Sequence, residues 1–118
     1  MLSGPILCDR SKPELRELTP AAPGILNKAG VQAAIITDHP VIPLQYLPFC
    51  AALAVREGMQ EKEALRAITL YPAVICGIAD RVGSLCVGKD ADFCVFGENP
   101  LQISANPHMV FCGGKRVV

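Results

Sequence analysis

Hydrophobic and polar positions change character near residue 80. Upstream, apolar residues recur at helical spacing or form short unbroken runs. Residues 2–8 are largely apolar and read as a short buried strand, although Gly4-Pro5 interrupts them. Ser11-Lys12-Pro13-Glu14 has the order of a helix entry, with Ser as cap, Pro early and Glu in the first turn. Thr19-Pro20 offers a second entry, to a helix over about 20–28 that Gly30 would stop. Residues 31–37 then form a strand candidate. Its centre, Ala33-Ala34-Ile35-Ile36, has no polar residue, as expected of a parallel strand covered on both faces. Residues 45–57 predict a helix with Leu47, Cys50, Ala51, Ala54 and Val55 on its apolar face, Pro48 in its first turn and Gly58 after it. A second helix is predicted over 61–69, and a third, short one opens at Pro72 and closes at Gly77. Downstream, glycines multiply and β-type runs appear at 92–96, 109–112 and 116–118. Gly113-Gly114 reads as the tight turn of a hairpin.

Length limits what this pattern can build. The 118 residues suit one modest core, against roughly 250 for a complete eight-stranded α/β barrel. A hydrophobic fraction of 51% is high for so small a domain, so some apolar surface is expected to meet missing chain or another subunit. Eleven basic residues balance eleven acidic ones with no basic stripe, which removes the electrostatic footing for nucleic acid or an anionic membrane. No apolar run approaches the roughly 20 residues of a membrane span, and the first residues lack the pattern of a signal peptide. Six cysteines, at 8, 50, 76, 86, 94 and 112, form no CxxC pair. They read as small buried residues of a cytoplasmic protein rather than as a disulfide framework or zinc cluster.

The candidate chemistry centres on Asp38, which follows a buried apolar strand and opens a loop. At the C-terminal end of a barrel strand, such a carboxylate can ligate a divalent metal or accept a proton. It can equally cap the turn that follows it. The segment Gly83–Lys89 has the spacing of a phosphate loop. However, Asp90 stands where Ser or Thr is required and no helix follows, so its glycines and acids read as turn formers. No serine sits in a nucleophile elbow, and nothing in the sequence pairs Cys50 with His39.

Several pieces occur in a characteristic order: Ala29-Gly30-Val31, Thr37-Asp38, Arg56-Glu57-Gly58, 64–69 (Ala-Leu-Arg-Ala-Ile-Thr), Pro72-Ala73, Gly77-Ile78, Gly83-Ser84-Leu85, Gly88-Lys89 and Ala91-Asp92. Together they resemble the tail of the amidohydrolase superfamily, in the branch of imidazolonepropionase-like and adenine-deaminase-like enzymes. The resemblance implies an α/β fold: the C-terminal fragment of a (β/α)8 barrel over residues 1–80, and closing strands of a small β-sandwich over 81–118. It implies a parent protein that hydrolyses non-peptide C–N bonds with a divalent metal, zinc in the first instance, acting on a small-molecule substrate. In that family the residue matching Asp38 ligates the metal and shuttles a proton. The other ligands, an HxH pair, a carboxylate or modified lysine and two further histidines, have no counterpart here.

His39 reads as a loop residue or as support for a ligand, because neighbours on a strand point to opposite faces. His108 reads as a surface residue before a strand. Asp38 with His39 falls short of the three or four ligands that hold catalytic zinc. The chain alone is therefore expected to bind no metal tightly and to be inactive without the N-terminal barrel segment or another subunit. A noncatalytic, oligomerising α/β module is the alternative. Two positions depart from the family: Tyr71 replaces an Asn cap before Pro72, and Gln60 replaces a Ser or Thr cap before Glu61.

Overall fold

The computed structural model describes residues 1–7, 10 and 12–118. A short strand, β1 (Leu2–Ser3), pairs in parallel with β2 (Ala34–Ile35), with Leu2 opposite Ala34 and Ser3 opposite Ile35. Backbone bonding extends past both strands: Ala34 N–H donates to the Met1 carbonyl at 2.8 Å and Ile36 N–H to the Ser3 carbonyl at 3.0 Å. β2 is buried on both faces, with Ala33, Ala34 and Ile35 each exposed by 2% or less. That is the burial expected from its unbroken apolar run, but the strand is shorter than the expected 31–37: it is confined to Ala34–Ile35, and Val31 and Gln32 are exposed. The strand expected over 2–8 is shorter than its apolar pattern suggests. It stops before Gly4, residues 6 and 7 form a turn, and residue 8 lies outside the described residues.

Between the paired strands lie a 3-10 turn at Pro13–Leu15 and helix α1 (Ala22–Lys28). The cap expected at Ser11 falls outside the described residues. At the second expected entry, the Thr19 hydroxyl accepts the Ala21 N–H at 3.2 Å. α1 ends as expected at Gly30, whose φ of 80° suits glycine; Gly30 N–H reaches the Asn27 carbonyl and Val31 N–H the Leu26 carbonyl, both at 2.9 Å. The same pair of bonds closes α2 (Leu47–Arg56) through Gly58 and Met59. Pro48 sits in the first turn of α2, where its missing N–H costs nothing.

α2, α3 (Glu61–Ile68) and α4 (Leu70–Ile75) follow in succession. The helices approach β2 closely because the residues between them are small: Cys50, Ala51, Ala54, Ala64 and Ala67 are fully buried. Ile6, Ile35, Ile42, Met59, Tyr71 and Leu101 complete this core. α4 begins two residues before Pro72, so Tyr71 lies inside the helix and is not a failed cap. Gln60 makes no side-chain capping bond to α3, as expected of that replacement.

The C-terminal part is an antiparallel sheet in the order β3 (Phe93–Phe96), β4 (Pro107–Cys112), β5 (Lys115–Arg116). The expected hairpin is present, with Cys112 opposite Lys115 across Gly113-Gly114. Phe93 and Phe111 stack with ring centroids 4.5 Å apart. His108 lies within β4 rather than before it; it is exposed and rests against Gly97. Leu101, from the loop between β3 and β4, inserts into the helical core and ties the two parts together.

The expectation of buried cysteines holds for Cys50 alone among those described. Cys76, Cys86, Cys94 and Cys112 are exposed, and all five are free thiols. They lie in or beside apolar runs whose outer faces the described residues leave exposed. Burial pushes the Cys50 thiol up, which keeps it protonated and inert. Among the described residues, no helix is long and apolar enough to cross a membrane.

Candidate active site

Asp38 leaves the C-terminal end of β2 and is exposed, whereas Thr37 before it is buried. Residues 38–41 form a turn closed by Val41 N–H donating to the Asp38 carbonyl at 2.8 Å. Ile42 N–H returns to the Thr37 carbonyl at 3.2 Å. Asp38 adopts a φ of 53° and is the one non-glycine residue among those described with positive φ. Aspartate enters this region more readily than most residues, but still at a cost, and such conformations collect at functional sites. Its carboxylate accepts no hydrogen bond and joins no ion pair among the described residues. The capping role that position alone allowed is therefore not the one Asp38 plays.

His39 is exposed in the same turn, and the His39–Pro40 peptide is cis. The alternation argument that separated His39 from Asp38 does not apply, because the strand has ended before them. Among the described residues, no group of three or more His, Cys, Asp and Glu side chains converges. Asp38 with His39 does not fit a complete metal centre, which needs three or four protein ligands. A mostly apolar groove of about 740 Å³ runs between residues 44–49 and β3; Asp38 does not line it.

The glycine-rich segment 83–92 is structural. Lys89 donates to the Ala79 carbonyl and, at 2.8 Å, to the Ser84 hydroxyl, so it is held within its own loop. Asp92 accepts the Gly113 N–H at 2.6 Å, the turn-amide role expected of it. Asp90 instead pairs with the Arg81 guanidinium at 2.7 Å.

One polar cluster escaped the sequence reading. The Glu63 carboxylate receives the Tyr71 hydroxyl, the Asn27 amide at 3.1 Å and the Arg66 guanidinium at 2.8 Å, joining α1, α3 and α4. The Tyr71 hydrogen bond, aided by Asn27 and Arg66, holds the Glu63 carboxyl below the usual range; the same bond pushes the Tyr71 phenol up. A lowered carboxyl contributes stability above its unfolded value, about 4.3, that is lost as pH falls through the folded value. A raised phenol contributes stability below about 10 that is lost as pH rises through its folded value. Tyr71→Phe is expected to cost about 1–2 kcal/mol at neutral pH. Urea titrations should find the deficit narrowing once Glu63 protonates. A deficit that stays constant down to pH 2 would mean that the bond to Glu63 is not its source.

A buried parallel strand that delivers a carboxylate to a loop, with helices packed behind it, defines a mixed α/β architecture. Comparison with known proteins gives the family: residues 1–117 match the Amidohydrolase family, and the chain belongs to it. It is 32% identical over 96 residues to the amidohydrolase tasK of Hapsidospora irregularis, covering 81% of this chain and 10% of that protein. It is 34% identical over 97 residues to an imidazolonepropionase of Shewanella oneidensis, covering 76% of this chain and 23% of that one. The crystal structure of an amidohydrolase from Thermotoga maritima MSB8 superposes with a TM-score of 0.93 at 41% identity. It covers 98% of this chain and 30% of that one. The chain thus spans between a tenth and a third of the length of these relatives.

Proposed function

We propose that this chain supplies the C-terminal portion of a metal-dependent amidohydrolase that hydrolyses non-peptide C–N bonds in a small molecule. Residues 1–80 would be the last β/α units of its barrel and 81–118 strands of its β-sandwich. Asp38 is the carboxylate this portion contributes toward a divalent metal, zinc in the first instance, and His39 is a candidate to support it. The remaining ligands would come from the N-terminal barrel segment or another subunit. The observation that carries this reading is Asp38 itself: a carboxylate with no partner among the described residues, in a left-handed turn directly after a doubly buried parallel strand. Family membership supports the reaction class.

The surface supports the need for further protein. The exposed area is 7585 Å², against about 6,200 Å² for a compact monomer of this mass. The radius of gyration is 14.6 Å, against about 13.5 Å for this length. Leu85, Val87 and Ile103 are among the large apolar side chains left mostly in solvent.

Zinc titration with a hydrolase assay on the purified chain tests the reading. Neither tight binding nor turnover is expected. Stoichiometric tight zinc binding with hydrolysis by the chain alone would overturn it.

A further inference from the structure

Left-handed φ at a residue with a side chain persists only where the surroundings enforce it. At Asp38 the enforcing contacts are identifiable. All four turn residues, 38–41, are exposed, so none of their side chains anchors the turn in the core. The flanking residues are buried instead: Thr37 is 4% exposed and Ile42 5%. Ile42 belongs to the same core cluster as Ile35 of β2 and Cys50 and Ala51 of α2. With the Ile42 side chain fixed there, its N–H meets the Thr37 carbonyl at 3.2 Å and the chain must reverse within the four residues between.

We propose that Ile42 is the positioning residue for Asp38: its buried side chain closes the loop and holds the carboxylate-bearing residue in the left-handed conformation. The functional consequence rests on the reading of Asp38 given above, but the geometric claim needs no metal or turnover. It is therefore tested without either, by NMR on the full chain, reading the N–H/Hα coupling and carbon shifts that mark left-handed φ at Asp38.

Ile42→Ala is expected to abolish that signature and the exchange protection of residue 42's amide, and Ile42→Leu to restore both. Leu101→Ala opens a cavity in the same core cluster from a different loop. It is expected to lower stability while leaving the Asp38 signature unchanged. If Ile42→Ala does not fold, Ile42→Val is read instead, with partial loss expected. Retention of the full signature in the shortened Ile42 variants, or its equal loss in Leu101→Ala, would overturn the proposal. Failure of Asp38 as a metal ligand is detected separately, by unchanged metal content when Asp38→Asn is made in a chimera that supplies the rest of the barrel, and leaves these NMR outcomes unaffected.

Discussion

Asp38→Asn should abolish metal-dependent hydrolysis once this chain is placed in a complete barrel. A suitable host is the Thermotoga maritima amidohydrolase, with this chain replacing the 30% that it matches. Asparagine keeps the shape of aspartate and also tolerates left-handed φ, so the turn at 38–41 should survive. What is lost is the negative charge that would hold a cation and the basic oxygen that would take up a proton. Loss of a positioned proton acceptor is worth roughly 10²–10⁴-fold in rate. Metal content by elemental analysis and turnover of a C–N substrate accepted by the unsubstituted chimera are the two measurements. A substituted chimera that retains full metal and full turnover would remove Asp38 from the site. His39→Ala should cost far less, since its proposed role is support, and at most about 10–100-fold in affinity or activity.

Features encoded by near neighbours were legible in the sequence. The unbroken apolar run around Ala33–Ile36 gave a buried strand because no polar residue could face solvent. Gly30, Gly58 and Gly77 marked three helix ends because each follows the last apolar position of a helical pattern. Gly113-Gly114 marked the hairpin because two successive positive φ angles are needed there. Features that depend on distant partners were not legible. Asn27 and Glu63 are 36 residues apart, and nothing local to Tyr71 indicates a carboxylate waiting for its hydroxyl. A cap expectation at that position therefore led in the wrong direction. The cysteines misled for a related reason: an apolar run signals burial only if something covers it, and Cys94 and Cys112 are left exposed by the described residues. The site divides in the same way. Asp38 was readable as a carboxylate at a strand end, and the family resemblance singled it out. Its left-handed backbone was not readable, because it depends on Ile42 reaching the core, and the strand that leads into it depends on pairing with β1 at the start of the chain.

That dependence on β1 makes Gly4→Ala the most damaging small substitution expected outside the site. Gly4 has a φ of 150°, and a Cβ there would lie 2.2 Å from the Ile36 carbonyl oxygen and 2.9 Å from Ile36 Cγ1. The nearer obstacle is backbone, so no rotamer change relieves it. Ile36 cannot retreat freely either, because its N–H is bonded to the Ser3 carbonyl at 3.0 Å. Backbone strain of about 1–3 kcal/mol and overpacking of about 1–3 kcal/mol act together at this one residue. A domain of ordinary size has only about 5–15 kcal/mol in total. The lowest-cost relief is for β1 to leave β2, which exposes the strand edge two residues before Asp38. Hydrogen exchange should therefore find the Ala34 and Ile36 amides deprotected in Gly4→Ala, while bonded amides of the β3–β4 pair keep their protection. The urea midpoint should fall with them. Unchanged protection at Ala34 and Ile36 would mean that β1 accommodates the methyl group in place, and that the close approach at Gly4 is not what fixes the strand carrying Asp38.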